Sequence, residues 1–250
     1  MRRIFSSLWK TWFLIWFCFI ILLALPGFLI FLSRKKWFGL AFRLEQIVCF
    51  SIMIGSGVIL RKIYMVNKRS LPHPCVYVAN HASYLDILAS YVVIPNYSIF
   101  MAKAELKKVP FINLFFREMN VLVNRKSKMD SHRAFVEVGK RIDEGSSIYI
   151  FPEGTISDDG SLLRFKNGAF KLAIDKQIPI VPIVYTNNWR LLQNGGFFKS
   201  YGRPGISEAI VHPPVLTKGL TEENLVTLRE EVYKIFETEL ANYENKIRRK

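Results

Sequence analysis

Acidic residues are almost missing from the first part of this sequence. Residues 1–70 hold one, Glu45, against 11 lysines and arginines, so +10 of the net charge of +15 lies there. Residues 71–250 are nearly balanced, with 24 basic against 19 acidic side chains. Cysteine is scarce as well. Cys18, Cys49 and Cys75 are odd in number and form no CxxC pair, which argues against a disulfide framework or a cysteine-ligated zinc site. The four histidines, His73, His81, His132 and His212, show no HExxH spacing, so no metal is expected. There is no internal repeat and no low-complexity linker. What is abundant is apolar: half of the 250 residues are hydrophobic and 20 are Phe. Such a length fits one α/β domain and a smaller addition.

The basic excess flanks the greasiest stretch. From Thr11 to Leu32 there is no charge for 22 residues, long enough to cross about 30 Å of hydrocarbon as a helix. Pro26-Gly27 predicts a kink or a break in it. A second apolar segment, IVCFSIMIGSGVIL (47–60), is shorter and carries glycines, which suits an interfacial or re-entrant helix. Basic residues around such a segment are the pattern of an anionic lipid surface. A nucleic-acid binder would carry its charge on a polar face, so nucleic acid is excluded as a partner. A cleaved signal peptide is disfavoured by the length of the run and by its LALPG end. The larger basic cluster, on the side of residues 61–250, favours a cytoplasmic position for that part.

After about residue 71 the texture changes. VYVAN (76–80), YSIFMA (97–102), NVLV (120–123), SSIYIF (146–151), IPIVPIVYT (178–186) and SEAIVH (207–212) read as strands or extended segments. SYLDILASYVV and AFKLAID (169–175) read as helices. From Asp130, the residues Ala134, Phe135, Val138 and Ile142 recur at helical spacing, with Asp130 or Ser131 as cap and Gly145 as stop. Thr221 to Lys250 is an amphipathic helix with Leu225, Leu228, Val232, Ile235 and Leu240 on one face. The expectation is an α/β fold: a mixed central sheet flanked by helices over residues 63–250, preceded by a hydrophobic two-helix membrane anchor over residues 1–62.

Polar motifs fall where strands end, which is where sites are built in such sheets. NHASYLD follows the first strand. Its His81 and Asp86 are five apart and would not share a face if all were helical. A turn before Ser83 lets Asp86 reach back to one imidazole nitrogen, fixing the tautomer and leaving the other to take a proton. The same residues also read as a plain helix cap. FPEGTIS follows another strand, and its tight turn can gather N–H groups around an anion or be a common turn and nothing more. Glu153 is expected to pair with a cation or a substrate hydroxyl.

Taken together, NHASYLD, the lysine of KAEL, the arginine of VLVNRKS, FPEGT and IVPI come in the order and spacing of the glycerolipid acyltransferases. The chain resembles the bacterial 1-acylglycerol-3-phosphate acyltransferases over about residues 60–215. The resemblance implies transfer of a fatty acyl group from acyl-CoA or acyl carrier protein to the sn-2 hydroxyl of lysophosphatidic acid, with no cofactor, metal or covalent acyl-enzyme. It implies His81 as general base, Asp86 as its orienting partner, and Asn80 as support for the turn. Lys103 and Arg125 match basic positions associated with the acceptor phosphate, although each also reads as a solvated charge. Glu153, Gly154 and Thr155 match the acceptor-binding block. That block usually continues EGTR. Here the residue is Ile156, and Arg164 or Lys166 is expected to supply the missing charge. Backbone N–H groups near a helix start are the expected oxyanion stabilisers. Two readings remain beside this one: another lysolipid acceptor, such as a lyso-ornithine or lyso-glycine lipid, and an inactive lipid-binding membrane protein.

Overall fold

The computed structural model of the chain describes residues 2–104, 119–124 and 127–249, without the side chains of Lys103 and Lys128. Two apolar helices come first, α1 (Arg2–Phe31) and α2 (Phe38–Gly55). Helix α1 runs through Pro26 as one element, so the expected break there is not present. Its indoles are spaced three or four residues apart and therefore share a face. Trp9, Trp12 and Trp16 donate from Nε1 to Ser56 O at 2.8 Å, Gly55 O at 2.9 Å and Ser51 O at 2.9 Å. Gly55 O and Ser56 O lie at the C-terminal end of α2, where the helix itself supplies no donors, and Ser51 O lies one turn earlier on the same side. The two helices are thus stapled side by side. Both are long and apolar enough to cross a membrane by length and composition.

The second apolar segment departs from the expectation. Gly57, at φ +75, ends α2, and Val58–Tyr64 form strand β1. The expected boundary at residue 62 therefore falls inside a strand of the sheet. The strands that follow are β2 (Val76–Ala79), β3 (Ser98–Lys103), β4 (Val121–Val123), β5 (Ser147–Ile150), β6 (Ile180–Tyr185) and β7 (Gly205–Val211). Among the described residues they build one sheet in the order β1-β7-β6-β2-β5-β3-β4. It is mixed: β7 runs antiparallel to β6 and parallel to β1, and the remaining pairs are parallel.

Helices cover both faces. The first face receives α1, α2 and α3 (Leu85–Val93), where Phe42, Tyr91, Tyr77 and Ile183 share one apolar cluster. The second receives α4 (Lys128–Asp143), α5 (Gly168–Asp175) and α7 (Leu225–Arg248), where Val138, Phe170, Val232 and Phe236 pack on Val76, Val78 and Ile180. A short α6 (Asn188–Leu191) follows β6. Successive residues of β2 point to opposite faces and all four are buried, as a central strand requires. Helix α4 starts two residues before Asp130, and Ser127 is its cap, accepting the Asp130 N–H at 3.2 Å. In α7, Phe236 is fully buried while Ile235 is only partly so.

Candidate active site

Strands β2 and β5 are parallel neighbours, so the loops leaving their C-terminal ends lie side by side. Asn80 opens the first loop. Its Oδ1 accepts the Tyr185 N–H at 2.8 Å and its Nδ2 donates to Tyr185 O at 2.9 Å. A side chain thereby continues the β2–β6 pairing and lets the backbone turn away. His81 is clamped by the second loop: its N–H donates to Glu153 Oε1 at 2.6 Å, and its carbonyl accepts the Ser157 N–H at 2.9 Å.

The five-residue separation of His81 and Asp86 is bridged because α3 begins only at Leu85. The preceding turn folds the Asp86 carboxylate back to 3.1 Å from His81 Nδ1. Asp86 also accepts the Ala82 and Ser83 N–H groups, both at 2.8 Å, so it caps the turn and faces the histidine at once. Its other oxygen accepts from Asn188 Nδ2 at 2.8 Å, and Asn188 in turn accepts from Ser207 Oγ at 2.5 Å. Both Asp86 and Asn188 are buried. Against a carboxylate, Nδ1 is the protonated nitrogen, and Nε2 keeps a lone pair. Among the described residues no partner takes it. The imidazole lies flat on Phe151, with ring centroids 4.0 Å apart and planes 17° apart.

The second loop holds the remaining site residues. Glu153 differs from the expected cation or hydroxyl partner: it is buried, and its oxygens accept the backbone N–H groups of His81 and, at 2.9 Å, of Leu163. Burial pushes its carboxyl up to about 8 against the pull of those two hydrogen bonds. It braces one loop against the other. Gly154 has φ +75, which a residue with a side chain rarely adopts. A Cβ there would also lie 2.6 Å from Lys166 Nζ, so the glycine makes room for that ammonium. Thr155 is exposed. Phe165 is buried against Tyr233 and Phe236, which fixes the strip that carries its exposed neighbours Arg164 and Lys166. Lys166 lines a cleft of about 230 Å³ together with Phe151, Pro152, Gly154, Phe135 and Met101. Arg164 does not line it.

Several expectations are corrected or fall outside the description. The N–H groups of Ala82, Ser83 and Leu85 are engaged by Asp86 and Ser83 Oγ, so they do not await an oxyanion. Lys103 ends β3 opposite Val123, but its side chain is not described. Arg125 lies outside the described residues. Two contributors had no sequence signal strong enough to single them out. Phe151 stood in the quoted motif without a role, and Asn188, in the turn-like NNW, reaches Asp86 from 102 residues away.

The acyltransferase family model matches residues 62–186, half of the chain and both polar loops. The chain belongs to the acyltransferase family. Human 1-acyl-sn-glycerol-3-phosphate acyltransferase beta is 32% identical over 167 residues, 66% of this chain and 59% of that protein. Mouse 1-acyl-sn-glycerol-3-phosphate acyltransferase alpha is 34% identical over 161 residues, covering 64% and 56%. The chain thus spans less than two thirds of the length of these curated relatives. An uncharacterized acyltransferase of Schizosaccharomyces pombe is 34% identical over 206 residues, 80% of this chain and 68% of that one. The crystal structure of the 1-acyl-sn-glycerophosphate acyltransferase PlsC from Thermotoga maritima superposes with a TM-score of 0.78 over 98% of both chains. At 23% identity, that likeness concerns the fold, with its flanked mixed sheet and two leading apolar helices.

Proposed function

We propose that this chain is a membrane-associated O-acyltransferase that moves a fatty acyl group from an acyl thioester to the sn-2 hydroxyl of lysophosphatidic acid, giving phosphatidic acid. The observation that carries the reading is the His81–Asp86 pair, whose Nε2 takes no partner among the described residues and whose imidazole stacks on Phe151, a wall of the cleft that holds the Lys166 ammonium. His81 Nε2 takes the proton of the acceptor hydroxyl as its oxygen attacks the thioester carbonyl. Asp86 faces the imidazolium that forms. When the tetrahedral intermediate collapses, the C–S bond breaks, the sulfur leaves with the electron pair, and His81 returns the proton to it. No bond to the protein forms, and every proton that moves is carried by His81.

Lys166 answers the Ile156 departure. Its ammonium lies over the FPEGT turn, where an arginine two residues after Gly154 would otherwise serve the phosphate, and this favours a phosphate-bearing acceptor. Lys103 and Arg125 are assigned to the same phosphate. Helices α1 and α2 anchor the protein to the bilayer, with the basic residues 61–69 at the headgroups of the cytoplasmic face.

The test is turnover by the purified full chain, with acyl-CoA and acyl carrier protein as donors and a panel of lysolipids as acceptors. Acylation of lysophosphatidate that disappears in His81→Ala supports the reading. Preference for a lyso-ornithine or lyso-glycine lipid moves it to another acceptor, and absence of transfer to any lysolipid rejects catalysis.

A further inference from the structure

The chemistry above makes no use of the excursion between α6 and β7. Gln193 and Tyr201 pair at its base, through Gln193 N–H to Tyr201 O and Tyr201 N–H to Gln193 Oε1, each 2.9 Å. At the tip, Gly195-Gly196-Phe197-Phe198-Lys199, the Gly196 carbonyl accepts the N–H groups of Lys199 and Ser200 at 2.9 Å. The turn pushes two aromatic rings outward, 5.1 Å apart and edge to face. Phe198 is 80% exposed, more than any other large apolar side chain among the described residues. Two adjacent rings held in water by an ordered turn mark a surface that something covers.

Helix α1 fixes where that surface points. Ser6 Oγ accepts the Gly202 N–H at 2.8 Å. Lys10, a charge inside an apolar helix, is buried because its ammonium donates to Phe197 O and, at 2.6 Å, to Ser200 O. It also lies 5.0 Å from the centre of the Phe197 ring. The tip is thereby tied to the first turns of α1, whose Ile4, Phe5, Leu8 and Trp12 face outward and are exposed. Exposed Arg2, Arg3 and Lys199 border the same region. Aromatic side chains among basic ones, continuous with an exposed apolar helix face, match the chemistry of a bilayer's interfacial layer.

We propose that residues 195–199 are a second lipid contact, inserting Phe197 and Phe198 into the interface of an anionic phospholipid membrane beside α1. The proposal rests on the membrane reading given above and adds to it a non-helical element. It also links lipid binding to the site. The excursion departs from Leu192, whose carbonyl accepts from Ser83 Oγ at 2.6 Å, and from α6, whose Asn188 holds Asp86. Seating the tip in lipid therefore sets the His81 turn at the surface from which the acceptor comes.

The test uses the full chain with Cys18→Ser, leaving Cys49 and Cys75 buried, and an environment-sensitive fluorophore on Phe198→Cys. A control probe is placed on Lys218→Cys, beside the start of β6 at the opposite end of the sheet. Vesicles of phosphatidylglycerol and phosphatidylcholine are used with and without a shallow lipid-borne nitroxide, and flotation reports whether the protein is bound. The expected result is a blue shift at 198 with quenching several-fold stronger than at 218. Phe197→Ser with Phe198→Ser is expected to raise the KM for vesicle-borne acceptor several-fold, with turnover of a monomeric short-chain acceptor unchanged. Protein that floats while the 198 probe stays water-like overturns the loop contact and leaves the membrane reading intact. Protein that does not float overturns the membrane reading and this proposal with it. A blue shift that grows with protein concentration without lipid assigns the tip to a second copy and overturns the lipid contact.

Discussion

From Asn80 to Asp86 the buried polar side chains have fixed partners, whereas from Thr155 to Lys166 the cations stand in water. The two loops leave neighbouring strands and face each other, yet they are organised differently. In the first, Asn80, Ser83 and Asp86 are all hydrogen-bonded, and the imidazole is held between Asp86 and the Phe151 ring. In the second, buried Phe165 and the braced Glu153 fix the backbone, and Arg164 and Lys166 project from it exposed. The difference follows from what each must do. Proton transfer depends steeply on distance and angle, so its group is locked. Attraction between an ammonium and a phosphate falls off slowly with distance, so its group needs only the right neighbourhood.

The contrast can be broken by substitution. The largest effect is expected for His81→Ala: kcat falling by roughly 10²–10⁴ with acceptor KM little changed, read in steady-state assays on the purified protein. Next is Asn188→Ala, which strips a donor from Asp86 and a partner from Ser207. A loss of about 1–3 kcal/mol is expected in denaturant unfolding, with a fall in kcat smaller than that of His81→Ala. The exposed loop is expected to respond in KM instead. Lys166→Ala raises the KM for lysophosphatidate about tenfold with kcat nearly kept, the scale of one charge-assisted contact. Ile156→Arg in that background recovers part of the loss. Arg164→Ala, away from the cleft, is expected to change neither parameter appreciably. Equal effects of Arg164→Ala and Lys166→Ala would sink the assignment of Lys166.

The smallest effect concerns pH. Burial raises the Glu153 carboxyl to about 8 in the fold, well above the ordinary carboxylate range. The folded protein therefore holds this proton more tightly than the unfolded chain. Stability tied to it is complete below the unfolded value and is lost as pH climbs through 8. Glu153→Gln removes this titration, so its Tm relative to the parent is expected to rise between pH 5 and 9. A difference in Tm that stays flat over that range would contradict the buried, proton-retaining carboxyl.

Much of the fold was legible because short apolar strands, bounded by turns, alternate with helical spacing. Strand β1 was not: Val58, Ile59 and Leu60 continue an apolar run from α2, and only Gly57 marks the change of backbone. The partner that makes them a strand, β7, lies far along the chain. The site divides in the same way. His81, Asp86 and the FPEGT turn are motif residues, and their spacing carried the message. Glu153 was misread because a carboxylate in a loop suggests a ligand, while its use by two backbone N–H groups depends on how the loops meet. Asn188 and the buried Lys10 act across more than 100 residues, and no local pattern encodes such partners.

Because Val58 pairs with Gly205 and Tyr64 with Val211, the strand nearest the start of the chain is completed by one made close to its end. During synthesis the α1–α2 hairpin can close early, since its indoles and their acceptors all lie within the first 56 residues. Strand β1 then waits with an unpaired edge through more than 140 residues of growing chain. Such long-range closure is slow, and an open strand edge is prone to pair wrongly in the meantime. The early hairpin thus acts as a hook, holding β1 in place until the last strand arrives to catch it.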